Sequence, residues 1–153
     1  MTTAYDLLVA HPFLAGLTDW QLQRLATCAQ RSFFHAGNRV FREGDPADRF
    51  WLIQEGHVRL DTHLPGRGDV VVDTLGPGVV LGWSWLFPPY RWHFGAVAVE
   101  TTLTVELDGP GIRQTCEQNP DLGYELARRF MQVVVQRLQS TRRQLADTRP
   151  VQP

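Results

Sequence analysis

The chain has 153 residues, enough to fold around one hydrophobic core, and its 43% hydrophobic and 20% charged residues are typical of a globular domain. The formal net charge of −1 predicts no overall attraction to nucleic acid or to an acidic membrane. All fifteen basic residues are arginines, which excludes a Schiff-base lysine and a phosphate-loop lysine.

The N-terminus, the lengths of the apolar stretches and the cysteines predict where the protein is located. The N-terminus lacks a basic start followed by an apolar run, so it does not resemble a signal peptide. No apolar stretch reaches the length of about 18 residues that a membrane crossing needs. Cys28 and Cys116 are far apart and have no metal-like spacing. We therefore expect a cytoplasmic protein with two free thiols, and one disulfide is the alternative.

The first segment, residues 5–30, has the pattern of helices. A short helix is expected to end near Pro12, because proline removes a backbone donor and disfavours the helical conformation just before it. Thr18 or Asp19 can cap a second helix, which is predicted to span residues 20–29.

The middle segment, residues 31–107, has the pattern of strands. Short apolar runs, such as those at 50–53 and 70–72, alternate with turn signals that contain glycine and proline, such as those at 44–46 and 76–78. Many short strands at intervals of about ten residues favour a sandwich, a jelly roll or a barrel.

The last segment predicts a short helix over residues 112–117 and a long helix from Pro120 to about Ala146. Apolar residues recur along the long helix at intervals of mostly three or four: Leu122, Leu126, Phe130, Val133, Val134 and Leu138. A stripe this wide can pack partly on the strands and partly on a partner, so we expect a homodimer formed through this helix. Residues 1–146 are predicted to form a single domain, and residues 147–153 a flexible tail.

Residues 41–60 closely resemble the glycine-marked signature of cyclic nucleotide-binding domains, as in bacterial regulators of the catabolite-activator type. Gly44 and Gly56 match the turn glycines, and residues 50–53 match the strand between them. Glycine suits these turns because it accepts positive φ angles. The resemblance, which extends over residues 11–145, implies an antiparallel β-roll with N-terminal helices and a long C-terminal helix.

In that family a cassette after the next turn binds the nucleotide. Backbone amides and an arginine bind the phosphate, and a glutamate binds the ribose hydroxyl. Here Gly82 matches the cassette glycine, Trp83 stands at the position of the glutamate, and Trp92 or His93 stands at that of the arginine. Arg91 is one or two residues early. The resemblance therefore implies that cyclic AMP or cyclic GMP is not bound in the usual way, since each lost contact is worth roughly 1.5–3 kcal/mol.

Aromatic residues crowd this cassette: Trp83, Trp85, Phe87, Tyr90, Trp92 and Phe94. They can plug the pocket, form a docking surface for a partner protein, or line a reshaped pocket for a non-standard small molecule or nucleotide. The side chains for such a ligand lie beside Gly82: Trp83 and Trp92 for stacking, and Ser84, Arg91 and His93 for polar contacts.

A metal-dependent jelly-roll enzyme of the cupin kind is a further alternative. His57, Asp61 and His63 can share one face of a strand, but the close His-x-His pair followed by glutamate is missing. The chain contains no serine in a nucleophile-elbow context and no evident Cys–His pair. We expect no catalytic residue, no metal and no established cofactor.

The long helix also carries arginines that can contact DNA: Arg128, Arg129, Arg137, Arg142 and Arg143. Too few residues follow the helix for a helix-turn-helix motif, so we expect no direct sequence-specific DNA binding. The sequence predicts a stand-alone regulatory or sensor domain in which a ligand shifts the placement of this helix. The alternative is a structural interaction domain whose pocket is plugged.

Overall fold

The structure, a computed structural model, describes residues 2–147, where helices flank a set of short strands. The N-terminal helices are α1 (Ala4–Ala10) and α2 (Asp19–Ala26), with a 3-10 turn at Pro12–Leu14 between them. The strands are β1 (Ala29–Phe34), β2 (Arg39–Phe41), β3 (Arg49–Glu55), β4 (Val58–Leu64), β5 (Gly68–Leu75), β6 (Val80–Leu81), β7 (Gly95–Ala98) and β8 (Thr102–Asp108). A second 3-10 turn, Ser84–Leu86, precedes β7, and the chain continues with α3 (Gly109–Gln118) and α4 (Pro120–Asp147).

The strands form two antiparallel sheets. The first sheet has the order β1-β8-β3-β6, and the second has the order β2-β7-β4-β5. Strands that are distant in sequence pair directly, for example Ala29 with Leu107 in the first sheet and Val58 with Ala98 in the second. This arrangement confirms the predicted antiparallel β-roll with flanking helices and a long C-terminal helix.

The structure corrects two predicted helix boundaries. Thr18 caps α2 as expected, with its hydroxyl accepting the Gln21 backbone N–H at 3.2 Å. The helix ends at Ala26 rather than at residue 29, because Ala29 already pairs with β8. The short helix α3 begins at Gly109 rather than at residue 112, because the Asp108 carboxylate accepts the Gly111 N–H at 2.9 Å and so caps it.

Two hydrophobic cores lie on opposite faces of the first sheet. The helix-side core joins this sheet to the helices, and its largest side chains include Phe50, Leu52, Trp85, Leu107, Ile112, Leu126 and Phe130. The roll core lies between the two sheets and includes Trp51, Ile53, Leu60, Val72, Leu81 and Trp92. Alternate residues of β3 point into different cores, as the pleat of a strand requires.

The two glycines of the signature segment both have positive φ, +89° at Gly44 and +95° at Gly56. Their surroundings differ. A Cβ atom on Gly44 would meet nothing within 4 Å, whereas one on Gly56 would lie 2.5 Å from the Thr102 hydroxyl and 2.6 Å from the Thr101 carbonyl oxygen. Gly56 is therefore required by the packing of the turn as well as by its backbone conformation.

The apolar side chains of the long helix α4 point in two directions, some into the helix-side core and others to the surface. Of the stripe that was predicted to pack partly on the strands and partly on a partner, Leu122, Leu126, Phe130 and Val133 are buried in the helix-side core. These four side chains therefore belong to the part that packs within the chain, which narrows the set offered for the dimer. Val134 is half-buried and Leu138 is exposed. The exposed apolar side chains of α4 form what we call the outer face of the helix: Tyr124, Met131, Val135 and Leu138.

Several other predictions concern the chain as a whole. Cys28 and Cys116 are free thiols. No helix within residues 2–147 combines the length and the apolar character that crossing a membrane requires. The predicted tail, residues 147–153, lies outside the described residues except for Asp147, which ends α4.

Candidate functional site

The cassette segment begins where β6 ends and passes through Gly82 into the 3-10 turn Ser84–Leu86. Gly82 has a φ of +96°, and a Cβ atom there would lie 2.9 Å from the Cζ3 atom of Trp92. Glycine at this position therefore permits both the turn and the close approach of the indole ring.

Trp92 occupies the roll core rather than the surface. It is only 5% exposed, and its ring stacks on Phe41 with centroids 3.8 Å apart and planes 11° apart. The ring of Trp51, on β3, lies 5.9 Å from that of Trp92 between centroids. Of the two residues that sequence analysis offered for the position of the phosphate arginine, Trp92 is the one directed inwards.

Arg91 and His93, on either side of Trp92, are exposed. The Arg91 guanidinium turns away from the roll core and donates from Nη1 to the Gly44 carbonyl at 3.0 Å. His93 lies at the mouth of the site, where its Nδ1 shares a hydrogen bond of 2.8 Å with the hydroxyl of buried Ser84. Arg91 therefore does not belong to the group of residues that surrounds the pocket.

Trp83 covers the mouth of the site. It is half-buried, and its ring stacks on His93 with centroids 4.5 Å apart. Phe87, its other aromatic neighbour, is exposed. At the position of the family's ribose-binding glutamate the chain thus has an apolar ring, which packs against His93 and Phe87 and against the helix-side core.

The space left between these side chains is a cavity of about 20 Å³. Its lining joins four predicted ligand residues to side chains from both sheets and from α4: Phe41, Leu60, Leu75, Val80, Gly82, Trp83, Ser84, Trp92, Phe94, Val133 and Arg137. Such a volume holds about one water molecule, whereas ligand pockets usually measure roughly 300–1,000 Å³. The aromatic side chains fill most of the space in which a ligand would lie.

Arg137 of α4 is the cationic residue that lines this cavity. It is 9% exposed, and its Nη1 donates to the carboxylate of Asp73 on β5. Burial lowers the pKa of the guanidinium, an effect that Asp73 opposes, but arginine keeps its proton in proteins. Sequence analysis placed Arg137 only among the arginines of the long helix that can contact DNA, although its spacing from Phe130 and Val133 continues the buried face of the helix.

The three residues considered for a metal site have separate partners. His57 contacts Glu100 at 2.6 Å, Asp61 binds the Arg39 guanidinium through both carboxylate oxygens, and His63 lies 3.2 Å from an oxygen of Asp69. In the part of the chain that the structure describes, no group of three His, Cys, Asp or Glu side chains is arranged to hold a metal ion.

Two packed antiparallel sheets, glycine turns and flanking helices define a domain of the β-roll class. The family model of the cyclic nucleotide-binding domain matches residues 31–119, and the chain belongs to this family. The resemblance inferred from residues 41–60 is therefore confirmed, and the family consists of regulatory domains.

Individual relatives agree with this assignment. The chain is 28% identical over 142 residues to a "CRP-like cAMP-activated global transcriptional regulator" of Mycobacterium tuberculosis, a match that covers 93% of this chain and 62% of that protein. The chain thus spans less than two thirds of the length of this curated relative.

Solved structures share the fold. A cyclic nucleotide-binding domain from Methylobacillus flagellatus superposes with a TM-score of 0.83 at 22% identity, covering 98% of this chain and 89% of that one. The catabolite activator protein of Thermus thermophilus superposes with a TM-score of 0.69 at 26% identity, covering 88% of this chain and 62% of that one.

Proposed function

We propose that the chain is a non-catalytic regulatory domain that does not bind cyclic AMP or cyclic GMP in the usual manner of its family. The observation that carries this proposal is the position of Trp92, whose ring stacks on Phe41 beside Gly82 and leaves a cavity of about 20 Å³. A cyclic nucleotide would have to displace this ring from the roll core, at the cost of its buried contacts.

The charges around the cavity support the same proposal. The phosphate of a cyclic nucleotide needs a cation, but Arg91 binds the Gly44 carbonyl outside the site. Arg137 is inside the site and is already paired with Asp73. Trp83 offers no carboxylate to a ribose hydroxyl. A cyclic nucleotide would therefore lose hydrogen bonds to water without regaining them in the site.

Cyclic AMP and cyclic GMP at millimolar concentration are expected to change the Tm of the protein by no more than about 1 °C, because a ligand that does not bind the folded state cannot stabilise it. Differential scanning fluorimetry measures this directly. The M. tuberculosis regulator, described as cAMP-activated, is the positive control. A saturable rise in Tm with either nucleotide would contradict the proposal.

The output of the domain is proposed to be the placement of α4. Arg137 joins this helix to Asp73 of the roll, and Arg129 joins it to the 3-10 turn Pro12–Leu14, where the Arg129 Nε donates to the Phe13 carbonyl at 3.0 Å. A change in the pocket that alters the contact between Arg137 and Asp73 would therefore favour a different position of α4.

The partner proposed for the outer face of α4 is a second copy of this chain. Tyr124, Met131 and Leu138 recur every seven residues, and Val135 lies one turn after Met131. A repeat of seven is the spacing at which two helices pack along their length. A copy of the same helix supplies a matching repeat.

Met131→Glu is expected to weaken this dimer at least about 100-fold, because each subunit would place an unpaired charge in an apolar interface. Gln132→Glu is the matched control, since it adds the same charge at an exposed neighbouring position of the helix. Analytical ultracentrifugation measures both. A wild-type chain that stays monomeric at high micromolar concentration, or equal behaviour of the two variants, would contradict the self-pairing.

A further inference from the structure

His11 is a buried histidine between α1 and the 3-10 turn Pro12–Leu14. The residue is only 4% exposed, and both of its ring nitrogens are used. Nδ1 accepts the Phe13 backbone N–H at 3.2 Å, so Nε2 carries the hydrogen and donates it to the Ile53 carbonyl at 2.9 Å. These two contacts require the neutral ring with its hydrogen on Nε2.

Phe13 joins this ring to α4. Its N–H donates to His11, while its carbonyl accepts from the Nε of Arg129 at 3.0 Å. Its ring meets the ring of Phe130 edge-on, with centroids 5.0 Å apart. Arg129 also donates to the Ala15 carbonyl, on the same segment. A displacement of Phe13 therefore alters two contacts of α4 at once.

The surroundings of His11 supply no negative charge to a protonated ring. The groove beside it is largely apolar, with Leu7, Ala10, Pro12 and Pro77 in its lining. The elements around it carry several titratable or charged side chains: Tyr5 and Asp6 on α1, Arg49 and Glu55 on β3, His57 beside Gly76, and Glu125 and Arg129 on α4. Within residues 2–147, none of them forms a hydrogen bond or an ion pair with the His11 ring.

We propose that His11 is a pH-sensitive contact that controls the placement of α4. This inference rests on the proposed function, because the output that it regulates is that placement. When Nδ1 takes up a proton from water, the ring has two N–H donors and a positive charge, and the Phe13 N–H loses its acceptor. The ring and Phe13 must then separate, since two donors face each other and the charge is buried without a partner.

Acid is the condition that favours this separation. Burial lowers the pKa of His11, and the hydrogen bond to the Ile53 carbonyl opposes this effect. A released ring therefore binds a proton more readily than the buried ring. The buried state loses stability as the pH falls below the ordinary pKa of histidine, about 6.5, and keeps its full stability above it. The signal that reaches α4 through Phe13 is thus a proton.

The test follows two NMR signals of the full chain between about pH 7.5 and about pH 4.5, namely the ring nitrogens of His11 and the Nε–H of Arg129. At the higher pH, His11 is expected to be neutral with its hydrogen on Nε2. It is expected to titrate below the ordinary range of histidine. The Arg129 signal is expected to shift with the same midpoint, because its acceptor is the Phe13 carbonyl.

Variants separate His11 from the other groups that titrate. His11→Gln keeps a donor for the Ile53 carbonyl but cannot gain a proton, so it is expected to remove more than about half of the Arg129 shift. The remainder comes from Glu125, which pairs with Arg129 at 2.6 Å. His35→Gln removes an exposed histidine and should leave the shift unchanged. If His11→Gln does not fold, His11→Asn replaces it, since asparagine accepts an N–H at the start of a helical turn.

Three results would overturn the inference: titration of His11 at or above about pH 6.5, different midpoints for His11 and Arg129, or an unchanged Arg129 shift in His11→Gln. The first two need only the wild type, so they decide even if no variant folds. Cyclic AMP, added at about pH 7.5, tests the proposed function separately. A shift of the Arg129 signal on its addition would contradict the proposed function, whereas an Arg129 signal that does not respond to acid contradicts only the role of His11.

Discussion

Replacing Trp92 by alanine is expected to lower the free energy of unfolding by about 3–5 kcal/mol, the usual loss for a large aromatic side chain removed from a core. The ring is almost fully enclosed and stacks on Phe41 at 3.8 Å between centroids. Its removal also leaves a void continuous with the existing cavity. Chemical denaturation monitored by circular dichroism measures the loss.

Trp20→Ala is the matched control, because Trp20 is 54% exposed and lies on α2, away from both cores. Its loss should cost less than about 1 kcal/mol. Indole gives a second measurement, since an apolar void binds small aromatic molecules. Added indole should raise the Tm of Trp92→Ala and leave the Tm of Trp20→Ala unchanged. Equal destabilisation of the two variants would show that Trp92 does not fill the roll core.

Gly56→Ala is expected to lower the free energy of unfolding by about 2–5 kcal/mol, which combines left-handed backbone strain with overpacking. The new Cβ atom would lie within 2.7 Å of three atoms of Thr101 and Thr102, two of them backbone atoms. Because backbone atoms cannot rotate aside, the turn between β3 and β4 must move.

The matched control for this substitution is Gly44→Ala, in the same signature segment. Gly44 has nearly the same φ, +89° against +95°, and open space where its Cβ atom would lie. Gly44→Ala should lower the free energy of unfolding by the backbone strain alone, about 1–2 kcal/mol. Urea unfolding of both variants separates strain from steric contact. If both variants lose the same free energy of unfolding, the close contact with Thr101 and Thr102 adds nothing to the strain, which contradicts the prediction for Gly56.

The features that sequence analysis predicted well are governed by neighbouring residues. Thr18 caps a helix through Gln21, three residues away, and Pro120 begins the long helix because its ring fits the first turn. The glycine signature also depends on neighbouring residues alone, since the positive φ angles of Gly44 and Gly56 are set by the turns in which they lie. These signals were sufficient to predict the β-roll and its family.

The features that it missed depend on contacts between distant segments. The end of α2 was misplaced because Ala29 pairs with Leu107, and no nearby residue signals this pairing. The end of the cassette pairs with a segment more than 40 residues earlier in the chain: the Trp92 N–H donates to the Asp45 carbonyl at 3.0 Å, and the Gly44 N–H donates to the Trp92 carbonyl at 2.8 Å. Arg91 also donates to the Gly44 carbonyl from outside the roll core.

Arg137 is an intermediate case. The spacing of the buried residues of α4 could have placed it on the face that meets the roll. Its partner Asp73 lies 64 residues away on β5, so its contact could not be inferred from spacing. A charged residue within an apolar repeat is usually predicted to be solvent-exposed when its ion-pair partner is unknown.

Because alternate residues of β3 belong to different cores, one strand carries residues that are subject to two different requirements. Phe50 and Leu52 serve the core that holds the helices, while Trp51 and Ile53 belong to the core that contains the pocket. Substitutions on the pocket side can exchange one ligand for another, or for an indole ring of the protein itself, while the opposite face keeps the chain folded. A strand of this kind allows ligand specificity to diverge between descendants without loss of their common architecture.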